Sequence, residues 1–442
     1  MGSFKLKLIQ IILFCIFSSY LNFGFANSNT NSDRYINQFK LSVQHVISNL
    51  NITELNNSGA IIASPSKNAP NYFYHWVRDA GLTMLEITTL YDMMNDGNSK
   101  RALENRIWLW IDFEKKLQEK ALSKSFLGEP IFTVSGDIYP FEWGRPQNDG
   151  PAIRALAMIN FCESLLRQGR FAEARYLYSN ELPAKSVIKI DLEYVASKWQ
   201  EQNYDLWEEV KGQHFFTRMA QRASLIKGAN LAEKIYDPKA AEYYRSKAKE
   251  LTLTLRAHQD SNRKIIVPTL DQTDGWKHKS SQLDVSVILG SLYFALDDGF
   301  YDLNDIGIEN TVNRLQDSFK NIYQVNHQHP EKAPAIGRYP EDVYNGNGFG
   351  EGNPWFLATN AYAEYYCRKS FISQNSTEKE QLRNYGLKFL DRSIFHVDPE
   401  GRMPEQFNRY SGYTQGAKDL TWSYISYSRA ARYCFEGQAI FQ

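Results

Sequence analysis

Two acidic segments, far apart in the chain, carry residues that could do chemistry together. Glu208 and Glu209 directly follow Trp207, and a single glutamate, Glu405, follows Pro404 near the end of the chain. Glycoside hydrolysis needs two opposed carboxyl groups, because one donates a proton to the leaving oxygen while the other activates water or attacks. Exposed glutamates are common, so this pair predicts a hydrolase only in company with other residues.

Aromatic residues are frequent, with 27 Tyr, 26 Phe and 9 Trp making up 14% of the 442 residues. Such rings can stack on the apolar faces of sugars, although a large aromatic core would explain the composition equally well. The 50 Lys and Arg residues balance 50 Asp and Glu residues. A neutral chain without a basic run argues against nucleic acid and anionic membranes as partners.

The first residues have the pattern of an export signal. Lys5 and Lys7 precede the apolar run from 8 to 17, and Gly24-Phe25-Ala26 offers a small-x-small cleavage site. We therefore assign residues 1–26 to a signal peptide and expect a secreted protein. The apolar run is short for a membrane span, and no later run reaches about 20 apolar residues, so no membrane association is expected after cleavage.

Cysteines are few. Cys15 would leave with the signal, and the remaining Cys162, Cys367 and Cys434 allow at most one intramolecular bridge, whose pairing the sequence leaves open. We therefore expect that disulfides do not hold the fold together. Three sequons for N-glycosylation, relevant in a eukaryotic host, begin at Asn51, Asn56 and Asn375.

Helical periodicity dominates the chain. Apolar residues return every three or four positions in about a dozen segments. These lie at 35–50, 82–94, 103–122, 152–168, 172–178, 192–201, 215–235, 240–257, 281–296, 312–323, 355–368, 382–394 and 420–433. Strand-like runs are short, with Ile265-Ile266-Val267 the clearest. Since no Pro/Gly/Ser-rich linker interrupts the pattern, we predict one mainly α-helical catalytic domain over residues 27–442.

The loops between these helices are rich in Trp, Tyr, Gly, Asn, Arg and acidic residues. A toroid of paired helices collects alternate loops at one end, so distant segments would converge on one pocket. The relevant loops are 70–79, 139–150, 204–214, 337–354 and 402–418.

Several segments together resemble the glucoamylases, glycoside hydrolase family 15, in the family's order from about residue 60 to about 434. They are YFYHWVRD at 72–79, WGRPQNDGP at 143–151, YDLWEEV at 204–210, GRYPED at 337–342, EQ at 405–406 and DLTWSY at 419–424. The resemblance implies an all-α (α/α)6 barrel of six inner and six outer helices. It also implies an inverting, exo-acting glucan 1,4-α-glucosidase that releases β-D-glucose from the non-reducing ends of starch, glycogen and maltooligosaccharides, more slowly from α-1,6 bonds.

By motif, the resemblance implies that Glu208 is the general acid and Glu405 the general base. We expect Glu208, beside Leu206 and Trp207, to be partly desolvated and to keep its proton. Glu405, near polar residues, is expected to remain charged.

Arg78 and Asp79 resemble the family's clamp on the terminal glucose, in which a carboxylate and a guanidinium bind sugar hydroxyls. Without the motif, a structural salt bridge would be the better interpretation. The remaining substrate-binding residues implied by the resemblance are Tyr72, Trp76, Trp143, Arg145, Leu206, Trp207, Glu209, Arg338, Trp355 and Trp422.

The chain departs from the filamentous-fungal pattern in two places. The insertion 347–351 is longer and more like the yeast form, which leaves the lining near it uncertain. No starch-binding module is recognisable, so soluble dextrins and glycogen are the expected substrates. We expect a monomer without cofactor or catalytic metal, because no His, Cys or carboxylate spacing completes a site around His75 and a hydrogen-bonded loop histidine is favoured.

Two alternatives remain open. A related helical-toroid hydrolase such as a trehalase or a glucodextranase would cleave a different bond. A catalytically inactive sugar-binding protein would keep the pocket, although the presence of both Glu208 and Glu405 argues against it.

Overall fold

The computed structural model describes residues 32–50, 59–95, 97–124 and 126–435. The predicted signal peptide and the sequons at Asn51 and Asn56 lie outside the described residues. The described part is mainly helical, as the periodicity predicts. Within it, no helix combines the length and the apolarity needed to cross a membrane.

Six helices pack side by side into a closed inner ring. In chain order they are α2 (Val77–Met93), α4 (Asp149–Arg167), α7 (Phe215–Lys234), α9 (Val285–Phe294), α12 (Phe356–Ile372) and α14 (Thr421–Cys434). Each contacts the next, and α14 closes the ring against α2. Most of their residues are buried, because an inner helix is surrounded by protein on every side.

Six longer helices form an outer layer, and each packs against at least one inner helix. They are α1 (Ser32–Asn49), α3 (Asn98–Leu122), α6 (Val187–Lys198), α8 (Pro238–Leu255), α10 (Ile306–Ile322) and α13 (Ser376–His396). Two short helices, α5 (Phe171–Leu177) and α11 (Gln324–Gln328), complete the described set. The predicted (α/α)6 barrel of six inner and six outer helices is confirmed.

Helix starts follow local capping chemistry. The side chains of Asp237, Asp284, Asp305 and Asn375 accept hydrogen bonds from backbone N–H groups in the first turns of α8, α9, α10 and α13. Asn375, the one sequon asparagine among the described residues, is thus an exposed N-cap. Several helices begin a few residues before the predicted starts, because polar first turns lack the apolar period.

The strands are short and connect the ring's loops. Their bounds are β1 (His75–Trp76), β2 (Ile131–Phe132), β3 (Asn203–Tyr204), β4 (Val210–His214), β5 (Gln259–Asp260), β6 (Ile265–Ile266), β7 (Thr269–Gly275), β8 (Gln406–Phe407) and β9 (Thr414–Gln415). The order β3-β4-β7 forms an antiparallel sheet, and the other strands pair as two-stranded ribbons. The predicted strand at Ile265 is confirmed as β6.

One disulfide, Cys367–Cys434, joins inner helices α12 and α14, and Cys162 is free and buried. This agrees with the expected maximum of one bridge, and the structure decides the pairing that the sequence left open.

The loops that enter the inner helices carry the acidic and aromatic motifs. Trp76 immediately precedes α2, Asp284 precedes α9, Trp355 precedes α12 and Leu420 precedes α14. Because these segments lead into the same ends of the ring helices, residues hundreds of positions apart meet in one pocket.

Candidate active site

A pocket of about 610 Å³ lies where these loops meet. Every residue named in advance as catalytic or substrate-binding lines it, except Arg145. The lining residues from that set are Tyr72, Trp76, Arg78, Asp79, Trp143, Leu206, Trp207, Glu208, Glu209, Arg338, Trp355, Glu405 and Trp422.

Glu208 sits at the tip of a tight turn between β3 and β4, with φ of 65°. The Asp205 carboxylate fixes this turn by accepting hydrogen bonds from the backbone N–H groups of Glu209, at 2.8 Å, and Val210, at 3.0 Å. A left-handed backbone is unfavourable for a residue with a Cβ, so it persists only where the surroundings hold it. The turn presents the Glu208 carboxyl group to the pocket.

Three donor groups meet at Oε1 of Glu208. The Trp76 indole N–H donates at 2.8 Å and the Gln147 amide at 3.0 Å. Arg78 places Nη2 3.5 Å from the same oxygen. These groups fix the orientation of the carboxyl group.

Glu405 is only 1% exposed and faces the hydroxyl groups of Tyr72 and Tyr344. Burial raises the pKa of Glu405 to about 8, against the lowering effects of Arg338 and of hydrogen bonds from the two tyrosines. Its Oε2 atom is buried without a hydrogen-bond partner among the described residues. Polar groups do lie near Glu405, as expected, but burial acts against the charge that was expected on it.

Tyr72 and Trp76 contact each other, and each lies next to one of the two glutamates. Their rings meet edge to face, with centroids 5.5 Å apart. Trp76 holds Glu208, and Tyr72 faces Glu405 while its hydroxyl lies 2.9 Å from that of Tyr344. The two carboxyl groups are thus supported by adjoining aromatic side chains.

Arg78 is buried and Asp79 mostly buried in the first turn of α2, with Arg78 Nε 3.3 Å from Asp79 Oδ2. Burial raises the pKa of Asp79 to about 6, although Arg78 lowers it. Arg78 Nε and Asp79 Oδ2 find no hydrogen-bond partner among the described residues. Buried polar atoms of this kind need partners, so the floor of the pocket suits a ligand rich in hydroxyl groups.

Arg338 links Glu209, the second glutamate of the turn, to Asp342. It forms a bidentate pair with Asp342 and donates to Glu209 Oε1 at 2.7 Å, while the Tyr339 hydroxyl donates to Glu209 Oε2 at 2.7 Å. The guanidinium also lies over the ring of Trp355, with 5.2 Å to the centroid. Glu209 is therefore held in place before any ligand binds.

Tryptophans form much of the apolar wall. Trp207 stacks on Trp422 with centroids 6.3 Å apart and donates its indole N–H to the N-cap Asp284 at 2.9 Å. Trp143 is partly exposed at the mouth and meets the edge of Trp76 at 6.2 Å. Trp143 thus lies over the side of the pocket that holds Glu208.

Arg145 lies outside the pocket lining. Its Nε donates to both oxygens of Glu129, at 3.0 and 2.8 Å, and its other nitrogens donate to the carbonyl groups of Tyr139 and Phe141. All of these contacts stay within the loops that carry Trp143. The structure therefore places Arg145 as a loop support and not as a group facing the ligand.

His75 is fully buried and hydrogen-bonded. Its Nε2 lies 3.0 Å from Glu114 Oε1, and its Nδ1 accepts from the backbone N–H of Ile61. The expected hydrogen-bonded loop histidine is confirmed. Among the described residues, no group of three or more His, Cys, Asp or Glu side chains could hold a metal ion.

A family model described as Glycosyl hydrolases family 15 matches residues 38–432, nearly the whole described chain. The chain belongs to glycosyl hydrolase family 15. Among relatives, Glucoamylase 1 of Rhizopus oryzae is 35% identical and a glucoamylase of Blastobotrys adeninivorans is 33% identical, each over 84% of this chain. The chain spans just under two thirds of those two proteins, 65% and 66% of their lengths.

A solved family 15 structure, "Glucoamylase from Saccharomycopsis fibuligera at atomic resolution", has the same fold. It superposes with a TM-score of 0.82 at 27% identity, over 95% of this chain and 98% of that one. The agreement extends over nearly the whole of both chains.

Sequence reasoning gave no role to several residues of this family 15 site. Lys279 is the clearest: its buried Nζ lies 3.3 Å from Asp205, 3.2 Å from Asp284 and 3.6 Å from Glu209. It joins the turn of Glu208 to the start of α9. Its neighbours Trp276-Lys277-His278 have no periodic or motif signal, so only the fold reveals the contact. Other residues of this kind are Gln147, Asp149, Tyr344 and Phe349.

Proposed function

We propose that this chain is an inverting, exo-acting hydrolase of α-1,4-glucans that releases β-D-glucose from non-reducing ends. The observation that carries the proposal is that Glu208 and Glu405 line one pocket whose floor holds the buried Arg78 and the mostly buried Asp79. Starch, glycogen and maltooligosaccharides are the proposed substrates, with α-1,6 bonds cleaved more slowly.

Glu208 is the proposed general acid. Since its fixed donors meet at Oε1, the proton to be transferred belongs on Oε2. Glu208 gives that proton to the glycosidic oxygen as the bond from this oxygen to C1 breaks. Trp76, Gln147 and Arg78 then stabilise the carboxylate that remains.

Glu405 is the proposed general base. Water attacks C1 from the face opposite the leaving group and gives its proton to Glu405, which inverts the configuration from α to β. Glu405 must be ionised for this step; Arg338 and hydrogen bonds from Tyr72 and Tyr344 favour the ionised form, against burial, which raises the pKa to about 8. After the product leaves, exchange of protons with solvent returns Glu208 to its protonated form and Glu405 to its ionised form.

Arg78 and Asp79 are the proposed clamp on the terminal glucose. Arg78 Nε and Asp79 Oδ2, which face each other as an ion pair but make no hydrogen bond among the described residues, would bind its hydroxyl groups, while Tyr72 and Trp76 would lie beside the ring. Glu209 and Arg338 would bind the next sugar, with Leu206, Trp207, Trp143, Trp355 and Trp422 as apolar lining. We propose that the pocket ends at Arg78 and Asp79, which would favour cleavage at chain ends.

The remaining assignments are proposals as well. We expect a secreted monomer with a single catalytic domain over residues 27–442 and no cofactor or catalytic metal. The Lys5 and Lys7 pattern with its apolar run supports export. Expression with its own N-terminus, followed by N-terminal sequencing of protein from the medium, should give a chain starting at Asn27; intracellular protein starting at Met1 would contradict export.

Incubation with maltotriose, isomaltose and trehalose tests the function. Glucose should appear fastest from maltotriose and slowly from isomaltose, whereas faster cleavage of trehalose or isomaltose would favour a trehalase or a glucodextranase. NMR of the fresh maltotriose reaction should show the β anomer first; initial α-glucose would contradict inversion. Binding of all three sugars without turnover would indicate an inactive sugar-binding protein.

A further inference from the structure

Two aromatic residues at the pocket mouth have no part in the chemistry proposed above. Trp276 follows β7, and Phe349 lies in the insertion 347–351; both line the pocket. Their rings are close to parallel, at 19°, with centroids 5.9 Å apart. Phe349 is 83% exposed, which is unusual for a phenylalanine in a built pocket.

Trp276 is fixed to the turn that carries Glu208. Its backbone N–H donates to the carbonyl oxygen of Glu209 at 2.9 Å. The preceding Gly275 has φ of 85°, and a Cβ there would lie 2.0 Å from that same oxygen, so only glycine permits the approach. The indole N–H is buried without a hydrogen-bond partner among the described residues, which leaves a donor for a polar ligand.

Phe349 is fixed to the wall that faces Glu405. It pairs with Tyr344 in an antiparallel bridge, and the Gly350 N–H donates to the carbonyl of Val343 at 2.6 Å. Tyr344 in turn contacts Tyr72 through its hydroxyl, at 2.9 Å. Although the two rings come from separate loops, both are tied by backbone contacts to the segments that position the acids.

We infer that Trp276 and Phe349 form an aromatic platform for a glucose unit on the leaving-group side of the substrate, beyond the unit next to the cleaved bond. The inference rests on the proposed function. An α-glucan whose end lies against Arg78 and Asp79 must leave through the mouth, where the apolar C–H face of a sugar can cover an exposed ring. Binding energy from a remote unit of this kind raises the affinity for longer chains.

The test compares kcat/KM for maltose and maltoheptaose in Phe349→Ala and Trp276→Ala. Stacking of the strength found for aromatic pairs predicts a loss of about five-fold for maltoheptaose, mainly through KM, and a change below about two-fold for maltose, which is too short to reach the platform. Phe349→Tyr should keep most of the preference for maltoheptaose over maltose. Phe171→Ala is the matched control, because Phe171 is 62% exposed on α5 and does not line the pocket.

Equal losses on maltose and maltoheptaose would overturn the platform, because they would mean that the two rings only shape the reaction site. A ratio of kcat/KM for maltoheptaose to kcat/KM for maltose that is the same in the variants as in the wild type would overturn the platform too. The melting temperature of each variant separates these outcomes from unfolding, and Phe349→Ala, at an exposed loop position, is the variant that should fold regardless.

Calorimetric titration with maltose and maltoheptaose in a Glu208→Gln background, which should bind both sugars without cleaving them, makes the test independent of turnover. Tighter binding of maltoheptaose than of maltose by Glu208→Gln, reduced about five-fold when either alanine substitution is added, supports the platform. Equal affinity of Glu208→Gln for the two sugars overturns it. If the wild type binds maltoheptaose more tightly but releases no glucose from either sugar, the proposed hydrolysis fails while the platform stands.

Discussion

The indole N–H of Trp76 donates a hydrogen bond of 2.8 Å to Oε1 of Glu208, across 132 positions of sequence. Trp76 is the last residue before α2, and Glu208 lies at the tip of the turn before β4. The bond joins the start of an inner helix to the strained turn. The position of that helix in the barrel therefore sets the orientation of the Glu208 carboxyl group.

Replacing the proposed acid should stop turnover without preventing binding. Glu208→Gln keeps the size of the side chain but removes the transferable proton, so kcat for maltotriose should fall about 100-fold or more with little change in KM. Glu250→Gln, in a partly exposed pair with Lys247 on α8, is the control and should behave as wild type. Near-normal turnover by Glu208→Gln would remove it as the acid.

Trp76→Phe should separate positioning of the acid from packing. The ring remains but the donor to Glu208 is lost, so we expect kcat on maltose to fall about ten-fold. With α-glucosyl fluoride, whose leaving group needs less protonation, the loss should be clearly smaller. The measurement is kcat for the variant and the wild type on both substrates. Equal losses of kcat on maltose and on the fluoride would mean that Trp76 acts by contact with the sugar alone.

The raised pKa of Glu405 should appear in the pH dependence of stability. An unfolded glutamate titrates near pH 4.3, whereas folded Glu405 titrates at about 8. Between these values the folded state holds a proton that the unfolded state has released, so this group lowers stability as pH rises. Glu405→Gln cannot ionise, and its melting temperature should exceed that of wild type increasingly from pH 4 to pH 8.

The control for that experiment is Glu351→Gln, since Glu351 is an exposed carboxylate near the same loops. Its melting temperature should follow the wild type at every pH. A Glu405→Gln variant that is no more stable than wild type at pH 8 would show that Glu405 is not a desolvated carboxyl group. Loss of maltotriose turnover in the same variant tests its role as base.

Asp79→Asn should damage substrate recognition and leave the fold intact. Burial disfavours the charge of Asp79, raising its pKa to about 6, so removing that charge should not lower the melting temperature. We expect kcat/KM for maltose to fall about 100-fold, because a charge-assisted contact to the sugar is lost. A lower melting temperature with normal maltose kinetics would instead make Asp79 a structural partner of Arg78.

Lys279→Met should weaken both the fold and the site. It leaves Asp205, Asp284 and Glu209 without their shared cation in a buried place, at a cost of about 3 kcal/mol or more in the free energy of unfolding. Urea denaturation measures this cost. Lys247→Met, at the partly exposed pair with Glu250, should change stability by less than about 0.5 kcal/mol. Comparable values for the two variants would contradict the role of Lys279.

The sequence by itself determined the mainly helical fold and the segments that form the pocket. The apolar period marks all six inner helices because each buries side chains along its length, while a capping residue such as Asp284 fixes where its helix begins, inside the predicted segment 281–296. The acidic and aromatic motifs identify Glu208, Glu405, Arg78 and Asp79 as site candidates because these residue types carry the chemistry. Such signals depend only on residues near one another in the chain, so they can be recognised without the tertiary structure.

The tertiary structure alone decided which groups meet and which lose water. Burial raises the pKa of Glu405, while Arg338 and hydrogen bonds from Tyr72 and Tyr344 oppose it, and all three of these residues are remote from Glu405 in sequence. Arg145 turns to Glu129, and Trp276 stacks on Phe349, because the loops between helices set these approaches. Distance and desolvation depend on contacts between remote segments, and no local pattern of residues records them.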